Sequence, residues 1–346
     1  MSNYSNDKML DNCYFVKTVL MLLVVFYHSV AFWGGRWFNI QPVIFESKIL
    51  SIIADWLNSF HIYGFTLVSG YIFQYLKNER NKYKEFLPFL ATKIKRLLVP
   101  YVFASIMWVI PISCILFSYT SRDIILKFIL CTSPSQLWFL WMLFGVFFMV
   151  WNLNKWINED LIALILSCLS WIIGFTCGSI FPNVFCIWTV FNYLPFFILG
   201  MKIRQKKSTS VYNLSNLVLV IFQIVLFIIW QITLQKKILV FKLASLIFQY
   251  SANVVGAIMS FFILQGLADK VNWRKNKLFA TFSKQSMSIY LFHQQVIYFT
   301  IMIFNGKVNS YFNASINFIV ALVASSLISK LLMKYKTTRF LIGEKT

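Results

Sequence analysis

Charged groups are scarce in this chain of 346 residues. Only 12% of the residues are charged, with 11 Asp and Glu against 32 Lys and Arg, whereas 59% are hydrophobic. A soluble domain needs a larger polar share, so this balance indicates an integral membrane protein with several spans. The acidic residues lie almost all outside the apolar runs, which argues against a transporter driven by a carboxylate proton relay.

Several sequence signatures are also missing. The chain has no Gly-rich phosphate loop, no HExxH helix and no GxSxG elbow. Its six cysteines form no CxxC pair, so we interpret them as packing residues and expect neither a disulfide framework nor a metal site. The net charge of +21 comes from short basic clusters between apolar runs, which is typical of membrane topology and an anionic ligand rather than nucleic acid. The first apolar run lacks a cleavage pattern, and we expect it to be retained.

Hydropathy predicts an all-α integral membrane fold, a polytopic bundle of about ten transmembrane helices. The stretch 49–57 is interrupted by Asp55 and predicts an interfacial helix ahead of the second span. The predicted spans lie near 13–33, 56–76, 97–118, 136–152, 161–179, 184–201, 213–234, 243–266, 284–304 and 315–333.

The basic residues predict the orientation of these spans. Lys and Arg concentrate in the connections 77–96, 202–207 and 267–283, which alternate along the chain and therefore face one side. By the positive-inside rule that side is cytoplasmic, as are both termini of a multi-pass protein of the bacterial inner or plasma membrane. We predict three parts: a cytoplasmic tail at 1–12, a transmembrane domain at 13–333 and a basic cytoplasmic tail at 334–346.

A cation and an imidazole mark the two ends of the first apolar run, at Lys17 and His28. In an α-helix each residue advances by about 100°, so eleven residues bring the two side chains to within roughly 20° of each other. They therefore share one helix face and lie about 16 Å apart along the axis. With Lys17 near one interface, His28 lies near the middle of a hydrocarbon core about 30 Å thick, where an ionisable residue is costly and usually functional. We therefore expect His28 to be functional, whereas Lys17 either snorkels or binds an anion.

Polar side chains recur in two later spans. Asn58, His61 and Ser69 follow helical spacing in the second span and predict one polar stripe. The Ser-Gly pair that begins at Ser69 is either a close-packing device or part of a cavity. Tyr290 and His293 share a face of the ninth span. All three histidines thus fall in predicted spans, which indicates a bundle interior lined by imidazoles, hydroxyls and amides.

The third span is preceded by a basic cluster that contains Arg96. Such a cluster usually anchors a helix at the cytoplasmic interface. A guanidinium at a membrane entry point also suits a phosphate, because its planar donor fork binds oxyanions bidentately. Both interpretations stay open on the sequence alone.

With these stretches located, the chain resembles the acyltransferase 3 family of bacterial membrane O-acyltransferases. Lys17 and His28 resemble the family's basic-x10-His motif, with Lys17 where many members have arginine. Other segments in the right order are similar to further family motifs: Phe60–Tyr71, Lys95–Tyr101, Gln136–Leu140, Leu194–Gly200 and Ser288–His293.

The resemblance implies an enzyme that transfers an acyl group, usually acetyl from acetyl-CoA, to a hydroxyl of a cell-surface polysaccharide or its lipid-linked precursor. Acetyl-CoA would be a substrate, and no bound cofactor is expected. His28 would act as general base, or else carry the acyl group transiently. The expected substrate and donor contacts are Lys17, Arg96, Asn58, His61, Ser69, Tyr290 and His293.

A second hypothesis is a flippase or carrier for a lipid-linked oligosaccharide, since the predicted bundle is polar inside and rich in aromatic residues. This hypothesis predicts that loss of the protein abolishes glycan export, whereas the acyltransferase hypothesis predicts loss of acetyl groups from the glycan.

Overall fold

The computed structural model describes residues 2–35, 38, 40–206 and 216–344, with side chains from residue 8 onward. Regular structure in these ranges is helical, apart from one isolated bridge between Asn305 and Val308. Nine helices of the described ranges are long and apolar enough to cross a membrane. The protein is therefore an all-α polytopic membrane bundle, as the sequence predicts.

The helices follow the predicted spans closely. The expected start of the seventh span at 213 lies outside the described residues. The helices are, in chain order, α1 (Ser2–Val30), α2 (Lys48–Asn58), α3 (His61–Gln74), α4 (Phe86–Phe117), α5 (Ser121–Ile124), α6 (Trp138–Ile157), α7 (Asp160–Ile180), α8 (Ile187–Lys206), α9 (Asn216–Leu234), α10 (Leu239–Lys270), α11 (Lys277–Phe304), α12 (Ser310–Leu332) and α13 (Lys336–Leu341).

Side-chain caps set the start of several of these helices. The side chains of Ser47, Asn276 and Asn309 accept hydrogen bonds from backbone N–H groups in the first turns of α2, α11 and α12. Each cap satisfies one of the backbone donors that a helix leaves unpaired at its start.

Helix α4 begins earlier than predicted, at Phe86, so the basic cluster around Arg96 is helical rather than part of a connection. Two π-helical turns, Ile94–Leu98 and Ser105–Val109, come just before Pro100 and Pro111. A proline lacks an N–H and clashes with the carbonyl four residues earlier, and a wider turn relieves that clash. The cluster therefore lies on a helix that widens where the cations project.

The predicted polar stripe of the second span is interrupted, because α2 ends at Asn58 and α3 begins at His61. The hydroxyl of Ser59 donates to the Trp56 carbonyl at 2.6 Å, a local bond that competes with helix continuation. The separate helix expected ahead of the second span is thus present as α2. Asn58 is the last residue of α2 and is exposed.

Helix α3 is short and enclosed, and it packs mainly on α8, α10 and α1. A Cβ on Gly70 would overlap the backbone of Phe197 in α8, and a Cβ on Gly200 would overlap the backbone of Leu67 in α3. Two glycines therefore allow the α3 and α8 backbones to touch, as small residues do at membrane helix crossings. The Ser-Gly pair therefore serves both for close packing and for lining a cavity. Gly70 packs against α8, while Ser69 lines the cavity described next.

Candidate active site

A cavity of about 1010 Å³ enters the bundle at the end where α11 begins and α12 ends. Its outer part carries the cations that we call the basic mouth. They are Lys93, Arg96, Arg274, Lys284, Lys330, Lys334 and Arg339. With Lys17 further in, eight basic residues line the cavity against one carboxylate, Glu344, so the described lining suits an anion.

Two lysines of this lining contact aromatic rings instead of carboxylates. Lys93 is 9% exposed, and its Nζ lies 3.5 Å from the ring centroid of Phe147, 5.0 Å from Tyr83 and 5.3 Å from Phe89. Lys17 Nζ lies 5.5 Å from the Phe65 centroid. Among the described side chains, neither ammonium forms a salt bridge. A buried lysine and a partly buried one that line the same cavity favour binding of a multiply charged anion there.

The lining of the cavity ends one helical turn before a pair of histidines. Val24 lines it one helical turn before His28, and Tyr290 lines it one turn before His293. The imidazoles of the two histidines meet with His28 Nδ1 2.8 Å from His293 Nε2. His293 is fully buried, whereas His28 keeps partial exposure.

Tyr290 connects this pair to the start of α6. Its hydroxyl donates to the Gln136 carbonyl, and the Gln136 side-chain amide donates to the Leu291 carbonyl at 2.9 Å and to Gln295 Oε1 at 2.8 Å. Such a connected buried network rigidifies the elements it joins. The Tyr290 ring thus lines the cavity while its hydroxyl holds α11 against α6.

The third histidine, His61, lies beside the pair but outside the cavity lining. Its Nδ1 is 2.5 Å from the Leu57 carbonyl. The ring of Tyr27 packs between His61 and His28, with centroid distances of 4.9 Å and 5.0 Å. Tyr27 therefore fixes the two imidazoles relative to each other.

The C-terminal segment forms part of the cavity wall. Ile342 is fully buried, and Gly343 adopts a φ of +75° next to Pro100, where a Cβ would lie 2.7 Å from the proline ring. Only glycine enters that conformation without strain. Glu344 then faces the cations of the mouth; burial raises its pKa, and Arg96 is the first of three cations that oppose the rise.

The structure brings together seven of the eight site residues predicted from the sequence. Lys17, Ser69, Arg96 and Tyr290 line the cavity, His28 and His293 pair one helical turn beyond its lining, and His61 adjoins them through Tyr27. It does not bring Asn58 to the cavity.

Sequence reasoning did not single out Lys93, Tyr27 or Glu344. The only signal for Lys93 is its position one helical turn before Arg96, and its burial follows from the rings of α4 and α6 around it. For Glu344, the preceding Gly343 indicates a tight turn, but it does not indicate which residues Glu344 faces.

Comparisons with known proteins agree with this architecture. The sequence model of the acyltransferase 3 family, described as an acyltransferase domain, matches residues 14–334. Neither the curated proteins nor the solved structures include a match to the chain. No group of three metal-binding side chains is found in the part of the chain that the structure describes. The match extends from α1 to the residues after α12 and includes Lys17, the histidine pair and most of the cavity lining, so the chain belongs to the acyltransferase 3 family of membrane proteins.

Proposed function

We propose that this acyltransferase moves an acetyl group from acetyl-CoA to a hydroxyl of a cell-surface polysaccharide or its lipid-linked precursor, with His28 as general base. The observation that supports the proposal is the cavity itself: cations line its mouth, and its inner lining, at Val24 and Tyr290, ends one helical turn before the His28 and His293 pair. An anionic donor with a reactive group at the far end of a long arm fits that arrangement.

The dimensions of the donor agree with the spacing along α1. Helix rise separates Lys17 from His28 by about 16 Å. The pantetheine arm between phosphate and sulfur has about as many bonds as four residues of polypeptide, so it extends about 14 Å. A phosphate held by Lys17 and Lys93 would therefore place the thioester close to His28.

The chemistry requires a base at that position. A sugar hydroxyl is a weak nucleophile until its proton is removed. In the proposed step, the hydroxyl oxygen bonds to the thioester carbonyl carbon while His28 accepts the hydroxyl proton. The carbon–sulfur bond then breaks, and His28 returns the proton to the departing thiolate of coenzyme A. An acetyl ester and free coenzyme A are the products.

The orientation follows from the same cations. The basic mouth shares its end of the bundle with the start of α1 and the end of α12. Positive-inside topology supports placing that end, and with it both chain termini, in the cytoplasm, where coenzyme A is available. The acceptor glycan then belongs to the envelope of a bacterial cell, and the protein to its inner or plasma membrane.

The test is the variant His28→Ala in a strain whose surface polysaccharide is analysed for acetyl esters by mass spectrometry. We expect the esters to disappear while the polysaccharide and the protein stay at wild-type levels. A matched variant, Ser315→Ala, changes an exposed residue of α12 and should leave the esters in place. Unchanged esters in the His28 variant would reject the assignment, and loss of the polysaccharide itself would point to a lipid-linked oligosaccharide carrier.

A further inference from the structure

We propose that Arg339 and Lys284, together with Arg96, form a second phosphate subsite at the rim of the cavity and bind the 3′-phosphate of coenzyme A. We call these three residues the rim subsite. The proposal deepens the function proposed above and rests on it. The rim subsite makes the donor site selective for coenzyme A over dephospho-coenzyme A, which lacks only that phosphate. Its basis is the position of Glu344 among the three cations.

The carboxylate of Glu344 lies where cations from three helices act together. Arg96 on α4, Lys284 on α11 and Arg339 on α13 all line the cavity. Each of the three interacts electrostatically with Glu344. Among the described side chains, however, no salt bridge joins Glu344 to any of them. The three positive charges therefore act on one region without being neutralised there by direct contact, and a phosphate dianion gains more from them than a single carboxylate does.

Arg339 has a donor that its own chain leaves unused. Its Nη2 donates to the Met333 carbonyl at 2.8 Å, which holds the guanidinium at the end of α12. Its Nε is buried and has no hydrogen-bond partner in the described part of the chain. A buried donor without a partner costs free energy, so an oxyanion that accepts from this guanidinium stabilises the donor-bound state. The planar donor fork of arginine also suits the oxygens of a phosphate.

The segment that carries Arg339 is fixed on the rim by its own packing. Ile342 is fully buried, and Gly343 packs against Pro100 of α4 in a left-handed conformation. The match to the family model ends at residue 334, so this segment lies outside the matched domain. Arg339 therefore contributes to the mouth of the cavity from outside that domain.

Arg96 connects the rim subsite to the cations further in. It follows Lys93 by three residues on α4 and interacts electrostatically with Lys93 and with Lys17. In the proposed function, Lys17 and Lys93 hold the diphosphate of the donor. The 3′-phosphate lies on the far side of the ribose from the thioester, which is toward the rim. A phosphate monoester carries a charge near −2 at pH 7, so it suits a group of three cations.

The test compares two ligands that differ by one phosphate. Isothermal titration calorimetry of the purified protein in detergent measures the binding of coenzyme A and of dephospho-coenzyme A, and it needs no acceptor. We expect the wild type to bind coenzyme A more tightly. Arg339→Gln should weaken the binding of coenzyme A by about 10- to 100-fold, which is the effect of one hydrogen bond to a charged group. It should leave the affinity for dephospho-coenzyme A nearly unchanged.

Three further variants separate a phosphate contact from a change in the fold. Lys284→Gln alters the rim subsite from α11, without a change in α13, and should also weaken coenzyme A alone. Lys93→Met should weaken both ligands equally, because Lys93 belongs to the diphosphate contacts. Lys336 is an exposed lysine of α13 that does not line the cavity. Lys336→Gln therefore removes a positive charge from the same segment and should change neither affinity.

The outcomes are distinct. Equal affinity of the wild type for the two ligands would overturn the inference and leave the rim cations to another phosphate, such as that of a lipid headgroup. Equal weakening of both ligands by Arg339→Gln and by Lys284→Gln would overturn it too, since the cations would then act only through their general field. A wild type that binds coenzyme A but transfers no acetyl group would reject the proposed function, whereas the comparison of the two ligands would still test the rim subsite.

Discussion

Replacement of Lys93 by methionine should stabilise the donor-free protein and weaken donor binding at the same time. Its ammonium is 9% exposed among Tyr83, Phe89 and Phe147, and no carboxylate pairs with it in the described part of the chain. Burial of an ion costs several kcal/mol, and contact with aromatic faces returns about 2 kcal/mol. Lys93→Met should therefore stabilise the donor-free state by roughly 1–3 kcal/mol.

The donor-bound state should respond in the opposite direction. A hydrogen bond between an ammonium and a phosphate contributes about 1.5–3 kcal/mol, so its loss should raise the KM for acetyl-CoA by about 10- to 150-fold. The assay combines thermal unfolding in detergent, with and without coenzyme A, and steady-state transfer kinetics. Without ligand, Lys93→Met should melt above wild type, and coenzyme A should shift its melting temperature less.

A matched control comes from Lys155, an exposed lysine near the end of α6 that does not line the cavity. Lys155→Met should change neither the melting temperature nor the KM. A Lys93 variant that melts below wild type with an unchanged KM would refute the reasoning, since the lysine would then serve only to pack against its rings.

Two further predictions concern the wall and the centre of the bundle. Glu344→Gln removes the one carboxylate of the described cavity lining, which repels a bound phosphate. For about 10 Å between carboxylate and phosphate and an effective dielectric constant near 20, loss of this repulsion should lower the KM for acetyl-CoA about five- to thirty-fold. Burial raises the pKa of Glu344, so the wild-type KM should approach that of the variant as the pH falls, and a constant difference across pH would contradict this. Gly70→Ala should destabilise the fold by about 1–3 kcal/mol through overlap with the α8 backbone, measured as thermal aggregation in detergent, whereas Gly266→Ala meets open space and should not.

The sequence predicted the helices well because hydropathy depends on local composition. Apolar runs of sufficient length gave the spans, and the fold class followed from them. Hydropathy failed at the start of α4, where Lys93 and Arg96 lower the apolar average although the backbone stays helical. It anticipated a separate helix ahead of the second span but began that span at 56, whereas α2 ends at Asn58 and α3 begins at His61.

The sequence singled out most residues of the candidate site but not the contacts between them. Helical spacing placed Lys17 and His28 on one face, and the cavity lining includes that helix from Lys17 to Val24, one turn before His28. The contact between His28 and His293 joins residues 265 apart, so no spacing rule within one helix could supply it. The choice of Lys93 as the buried cation depends on rings from two helices, and the role of Glu344 depends on how the chain turns at Gly343.

The enclosed helix α3 has a consequence for how the protein is made. Helix α3 and the π-helical turn that continues it, Tyr75–Glu79, together span about 28 Å, and eleven of the fourteen residues of α3 are buried. Its main partners, α8 and α10, begin at Ile187 and Leu239, so α3 leaves the ribosome long before the surfaces that cover it exist. Its final position is therefore set late, when α8 arrives and the glycines of the two helices meet. A chain that stops after α7 would leave this glycine-bearing face without its cover, and the end of α1 that carries His28 without its neighbouring helices.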